Sequence, residues 1–300
     1  MCVAAPSALF DSAFLAKLER LHLLAKKLFR GEHRAERRSR QIGSSLEFAD
    51  YREYAPGDEL RSIDWPAYGR LERLFVKLYE QEQDLTVSFL IDASASMRWP
   101  SGGGKKLDLA RQITAALSYI ALANLDRVNI HFFAGDLLGE MGGTRGKAQF
   151  HGVLDFLSSA PEPDAPTRLL DSLRTFTQRV KRRGLVFVLS DFFDPSGYEE
   201  ALGLLRHAQF QAHALQILDP AELAPTELGD LRLMEAETGA ALEVTANESL
   251  LRRYREEGAT YNNGLETFCK QRGIAHALVT TSAPFEDIVL RALRDGVMLR

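Results

Sequence analysis

From residue 85 onward the chain alternates between two hydrophobic rhythms. Short apolar runs predict strands at Leu85–Asp92, Arg127–Ala134, Gly184–Asp191 and Ala212–Asp219. Between them the 3.6-residue period predicts helices over Leu107–Leu125, Arg168–Arg183 and Tyr198–His207. Val186-Phe187-Val188-Leu189 is apolar at every position, so this strand is expected to be buried on both faces, as a helix-covered parallel sheet requires. The alternation predicts a three-layer α/β domain with a mostly parallel, Rossmann-like sheet. A strand at Ala241–Thr245, a helix around Leu250–Gln271, a strand at His276–Thr280 and a terminal helix continue the pattern. Residues 230–300 are therefore expected to extend the main sheet.

The first 84 residues read differently. Phe14, Leu18, Leu21, Ala25 and Leu28 recur at helical spacing and predict an amphipathic N-terminal helix. From Lys17 to Arg40 nine basic residues face three acids, a local +6 inside a chain whose net charge is −4. Such a helix either docks by its leucine face or offers Lys26, Lys27, Arg30, Arg34, Arg37 and Arg38 to an acidic partner, anionic lipid or RNA. Leu46, Phe48 and Tyr51, the turn at Pro56-Gly57-Asp58, and a half-buried strand at Leu74–Leu78 outline a small β segment. The expected organisation is a basic helical arm over 1–42, a β segment over 43–84, and an α/β domain with a C-terminal extension over 85–300. With 45% hydrophobic and 26% charged residues, the composition is that of a globular protein with a real core. Two cysteines exclude a disulfide framework. No apolar run approaches the roughly 18 residues of a membrane span, so a cytoplasmic protein is expected, with no bulk charge for coating nucleic acid.

Two predicted strands end in aspartate, Asp92 and Asp191, where open α/β sheets bind their ligands. In the extended segment Asp92-Ala93-Ser94-Ala95-Ser96, alternate residues point the same way and bring three oxygen donors to one side. Hard oxygen donors with few charges suit Mg²⁺ or Mn²⁺. Helix capping explains the same residue types equally well: Ser96 could cap the next helix, and Thr167 the helix that follows it. Enzyme motifs fail on inspection. Gly102-Gly103-Gly104-Lys105-Lys106 lacks the spacing and the hydroxyl of a phosphate loop and reads as a turn before a helix. No zinc-binding histidine pair and no nucleophile elbow occurs.

Asp92-x-Ser94-x-Ser96, then Thr167, then Asp191 resemble the metal-ion-dependent adhesion site of von Willebrand factor type A domains. The resemblance implies an Mg²⁺ or Mn²⁺ ion held by these five residues, with the aspartates acting largely through water. It also implies a partner protein whose Asp or Glu fills the vacant position, and a site that need not stay occupied without that partner. Arg52-Glu53-Tyr54-Ala55-Pro56-Gly57-Asp58-Glu59-Leu60-Arg61-Ser62-Ile63-Asp64-Trp65 is similar to the signature of the domain of unknown function 58 family, which precedes a von Willebrand-like domain. That similarity continues to Glu237-Thr238-Gly239. It implies a non-enzymatic adaptor for a MoxR-type AAA+ ATPase or its client. Within the signature, Arg52, Asp58, Arg61 and Asp64 are expected to form an ion-paired clasp around Tyr54 and Trp65, braced by Pro56 and Gly57. A metal-dependent phosphoester hydrolase, and an RNA or membrane binder acting through the basic helix, stand as alternatives.

Overall fold

The computed structural model describes residues 8–32, 47–56, 58, 60–80, 85–98, 105–161, 163 and 165–294. The chain divides into two compact units, residues 1–26 with 85–298, and residues 27–84 with 299–300. Helix α1 (Ser12–Glu32) starts where the Asp11 carboxylate accepts the Phe14 N–H at 2.7 Å. Its stripe of Phe14, Leu18, Leu21 and Ala25 is buried. Phe14 lies 4.9 Å from the Phe285 ring, and Lys17 pairs with Glu286 at 2.7 Å. The first half of the expected arm is thus part of the α/β unit, held by its apolar face. The side chains of Lys26, Lys27 and Arg30, and all of Arg34, Arg37 and Arg38, lie outside the described residues.

In the smaller unit, β1 (Glu47–Glu53) pairs antiparallel with β2 (Phe75–Glu80), and α2 (Trp65–Leu71) lies between them in sequence. Asp64 caps α2 through the Ala67 N–H at 3.1 Å and also accepts the Tyr51 hydroxyl at 2.6 Å. Arg52 instead pairs with Asp58 at 2.7 Å, which holds the Asp58 carboxyl below its ordinary value. Two linkages of the expected clasp thus lie among the described residues, Asp64 with Tyr51 and Arg52 with Asp58, with Trp65 59% exposed and Tyr54 tied by its backbone to Leu74. Gly57 and the Arg61 side chain lie outside the described residues.

The α/β unit runs β3 (Thr86–Asp92), α3 (Lys106–Ala123), β4 (Arg127–Phe133), β5 (Leu137–Arg145), α4 (Phe150–Ser158) and α5 (Leu169–Arg179). It continues with β6 (Leu185–Ser190), α6 (Glu199–His207), β7 (Gln211–Leu218), α7 (Pro220–Leu223), β8 (Gly229–Met234), β9 (Ala241–Ala246), α8 (Glu248–Gln271), β10 (Ala275–Thr280) and α9 (Phe285–Arg294). Six strands form one sheet in the order β10-β7-β6-β3-β4-β5, parallel except for the edge strand β5. Every residue of β3 and β6 is buried, including the polar Thr86, Ser88 and Asp92 of β3. Leu90, Val186 and Val188 pack with Leu173, Phe176, Leu202 and Leu205 of α5 and α6, while α3 lies against β3 and β4. Gly184, just before β6, sits where a Cβ atom would fall 2.1 Å from the Thr86 carbonyl. Only glycine lets β6 begin this close to β3.

Strand β10 extends the main sheet as expected, but the strand at Ala241–Thr245 does not. It pairs with β8 in a separate two-stranded ribbon. Most of its residues are exposed, including Leu242 at 62%, so it offers no second apolar face for a central sheet position.

His131, on β4, is buried against the edge of Phe176, and neither ring nitrogen has a hydrogen-bond partner among the described residues. Burial depresses its pKa to about 4; Glu140 opposes the shift and Arg179 adds to it. A folded-state pKa below the unfolded value gives stability that is complete above pH 6.5 and lost as the pH falls toward 4. His131→Phe should remove that loss. The difference between the acid limbs, measured by urea unfolding, should approach the order of 3 kcal/mol.

Candidate metal centre

The strand order reverses between β3 and β6, because the chain leaves β3 for β4 on one side and later returns to the other. Such a reversal places a crevice outside the carboxyl ends of the strands, and Asp92 and Asp191 stand at those ends, both fully buried. Ile91 is in register with Leu189, which puts Ser190 beside Asp92. The Ser190 hydroxyl donates to Asp92 Oδ2 at 2.6 Å and accepts the Phe192 N–H at 3.0 Å.

After Asp92 the chain turns because the Ser94 N–H donates to Asp92 Oδ1 at 3.0 Å. That turn brings the Ser94 and Ser96 hydroxyls to 3.1 Å, with Met97 buried beneath as an anchor. Ser96 opens a short 3₁₀ turn at Ser96–Arg98 and does not cap α3, whose N-cap Lys105 makes no side-chain cap bond. Thr167 does not cap α5 either, since the Leu169 N–H goes to Asp194 Oδ2 at 2.6 Å. The Arg168 N–H ties this loop to the end of β4 through Ala134 O at 2.9 Å. Thr167 is left buried with its hydroxyl 3.4 Å from Asp92 Oδ2. Asp92, Ser94, Ser96 and Thr167 are therefore brought together, with both capping alternatives unrealised.

Asp191 is held differently. Its Oδ1 accepts the Phe193 N–H at 3.1 Å, and its Oδ2 accepts Lys106 Nζ at 2.8 Å. Lys106 is fully buried and bonds Glu222 Oε1 as well, at 2.6 Å. Burial disfavours its charge, yet Asp191 and Glu222 outweigh that and raise its pKa. Between Asp191 and Phe193 the backbone of Phe192 is left-handed, with φ 63°. A bulky residue held there is strained. Its carbonyl is fastened by the Tyr261 hydroxyl at 2.5 Å.

Sequence reasoning missed Lys106, Ser190, Glu222 and Glu237. One signal was available for Lys106: a cation in the first turn of a helix opposes the macrodipole and calls for a compensating anion. Glu222 is recruited by α7, whose capping box with Asp219 fixes it in place. Glu237 accepts both the N–H and the hydroxyl of Thr167, at 3.1 and 2.9 Å.

The donors fit a hard divalent cation. Among the described residues no group of three or more His, Cys, Asp or Glu gathers to hold a metal. The donor set is instead one carboxylate, Asp92, with the hydroxyls of Ser94, Ser96 and Thr167, and Asp191 nearby. Charge points the same way. Burial, and then the proximity of Asp191, push the Asp92 carboxyl up to about 7. Lys106 bonds Asp191 and Glu222, whereas Asp92 and Glu237 are met by hydroxyl and N–H donors.

Two outcomes follow for the metal-free protein. Asp92→Asn should be at least as stable as the parent at pH 8 in EDTA, because it removes a buried carboxylate that resists ionisation; saturating Mg²⁺ should raise the parent's melting temperature and leave the variant's unchanged. Lys106→Met should cost about 3 kcal/mol in urea unfolding, since it strands Asp191 as an unpaired buried charge.

The model of the family described as "Protein of unknown function DUF58" matches residues 50–263. An uncharacterized protein of Mycobacterium tuberculosis is 25% identical over 245 residues, covering 80% of this chain and 76% of that protein. An uncharacterized protein of Mycobacterium avium is 27% identical over 142 residues, covering 46% of this chain and 77% of that protein. Among solved structures, the conserved hypothetical protein BatB from Bacteroides thetaiotaomicron superposes with a TM-score of 0.44 at 14% identity, over 71% of this chain and 99% of that one. An aerotolerance-related membrane protein from Bacteroides fragilis superposes with a TM-score of 0.46 at 15% identity, over 70% of this chain and 99% of that one. No helix among the described residues is long and apolar enough to cross a membrane. The family match takes in the small β unit, both aspartate-ended strands and the ribbon that carries Glu237, and on that match the chain belongs to the DUF58 family.

Proposed function

We propose that the larger unit is a von Willebrand factor A-like domain that binds other proteins through a divalent cation, with no turnover of its own. The observation that carries this reading is the arrangement at the sheet's switch point. Two serine hydroxyls 3.1 Å apart adjoin a buried aspartate and a buried threonine that caps no helix. Asp92, Ser94, Ser96 and Thr167 would hold Mg²⁺ or Mn²⁺, with Asp191 behind them. The bound ion would supply Lewis acidity toward an anionic oxygen from outside.

The chain's own residues account for the rest of the chemistry. Ser190 and the Ser94 N–H orient the Asp92 carboxylate, and Lys106 fixes Asp191 so that it cannot swing into the crevice. A partner's Asp or Glu would be selected because hydroxyl-rich ligation leaves the ion short of charge. By the family resemblance, that partner is a MoxR-type AAA+ ATPase or the client it acts on, met in the cytoplasm.

Capture of the cognate MoxR-type ATPase on the immobilised full chain tests this. Binding should be present in Mg²⁺, absent in EDTA, and absent for Asp92→Ala in either condition, while circular dichroism shows the fold retained. Capture that is indifferent to both EDTA and Asp92→Ala would refute the metal bridge. Mg²⁺-dependent phosphoester turnover lost in Asp191→Ala would replace it with hydrolysis.

A further inference from the structure

The ribbon of β8 and β9 carries Glu237 at its tip, and the tip is a built object. The Glu235 N–H donates to Ala240 O at 2.8 Å and the Gly239 N–H returns to Glu235 O at 2.9 Å. The Thr238 hydroxyl bonds the Glu235 carboxylate and also accepts the Ala240 N–H at 3.2 Å. Gly239 closes the turn at φ +69°, a conformation that glycine adopts without strain. In Glu237-Thr238-Gly239 the second and third residues shape the turn, and the first is what it presents. Glu237 Oε1 accepts the hydroxyl and the N–H of Thr167, the residue whose hydroxyl also faces Asp92.

This placement leaves two carboxylates competing for one donor. The Thr167 hydroxyl has one proton, and two carboxylates, Glu237 at 2.9 Å and Asp92 at 3.4 Å, stand within reach of it. With a divalent ion among the hydroxyls the same placement becomes attractive. The tether is also inexpensive to move. Among the described residues the two strands pair only with each other, and Leu233, Met234 and Leu242 are 49%, 51% and 62% exposed. A lone two-stranded ribbon is marginally stable.

We propose that Glu237 is a built-in carboxylate ligand of the cation centre: it occupies the place of a partner's acidic side chain, and a partner binds by displacing it. This rests on the divalent-cation reading above. Two consequences are thermodynamically linked. The ion should hold the ribbon tip down, and the tip should strengthen the ion's binding by the same factor. A partner must then compete with a tethered carboxylate whose effective concentration is about millimolar.

The test uses the full chain with Mn²⁺ as the probe. Mn²⁺ affinity is measured by calorimetry, and amide exchange over residues 229–246 is followed by mass spectrometry. Glu237→Gln is compared with the parent and with Glu243→Gln, a carboxylate on the same ribbon away from its tip. Mn²⁺ should slow exchange at the tip in the parent and in Glu243→Gln but not in Glu237→Gln. Removal of Glu237 alone should weaken Mn²⁺ about tenfold, the usual scale for a supporting ligand. Equal Mn²⁺ affinity in all three, with tip exchange unaffected by the ion, overturns the Glu237 proposal and leaves the cation site standing. No Mn²⁺ binding by the parent overturns the site itself and the proposal with it.

Discussion

Two carboxylates buried on adjacent strand ends dominate the larger unit, and much of the structure around them exists to make that tolerable. Asp92 and Asp191 have no exposed surface, so neither charge is relieved by water. Each is relieved in its own way. Asp92 is met by neutral donors, the Ser190 hydroxyl and the Ser94 N–H, while the Thr167 hydroxyl is closer to Glu237. Asp191 is met by a full charge, the Lys106 ammonium, itself buried and shared with Glu222. Neutral donors weaken the cost of a buried anion without cancelling it, whereas a buried ion pair cancels much of it. The asymmetry leaves Asp92 as the group whose proton is held up to about pH 7. It is the point in the cluster with the most to gain from a cation.

Topology gathers these groups, which come from distant parts of the chain. Asp92 ends β3; Ser190 ends β6 and Asp191 follows it, side by side because the two strands are hydrogen-bonded neighbours at the switch point. Thr167 joins them because Arg168 is tied to Ala134 beyond the end of β4, on the other side of β3. Three strand ends thus fix the crevice, and the helices serve as spacers between them. The left-handed Phe192 belongs to the same arrangement. The chain turns sharply after Asp191, so the Phe193 N–H can reach back to Asp191 Oδ1 while the Phe192 ring stays in the core. Strain at that residue is held by surrounding bonds, notably the one from Tyr261.

The central strands and their helices were legible from hydrophobic rhythm alone, because burial on both faces concentrates apolar residues in short runs, most fully in β6. Of the two edge strands, β10 was legible and β5 was not. Strand β5, Leu137–Arg145, carries three glycines and alternates only weakly, since one strand partner and one face suffice for it. The aspartates and hydroxyls of the site were visible as residue types at strand ends, and their convergence follows from strand order. Lys106, Glu222 and Glu237 were not visible in that way. Each acts across a long sequence separation, and the Lys106 ammonium meets carboxylates 85 and 116 residues away. Pattern reading sees neighbours along the chain, and these groups are neighbours only in the folded state.

The charge in the crevice bears on how such a site would be used. Lys106 neutralises one of the four carboxylates, so a divalent ion would leave the cluster close to balance with Glu237 in place. Exchange of Glu237 for a carboxylate from another protein would leave that balance unchanged, since one anion replaces another at the same ion. The electrostatic term then largely drops out of the exchange, and the outcome rests on contacts made elsewhere. The exposed Leu233, Met234 and Leu242 of the ribbon are available for such contacts. A site built on exchange does not need a strong metal–ligand bond to be specific. It needs a resident ligand good enough to exclude casual anions and weak enough to yield to a partner that also engages the ribbon. A turn of six residues at the end of an isolated two-stranded ribbon meets both requirements: its own hydrogen bonds keep Glu237 poised, and the strands carrying it bring little packing to hold it there.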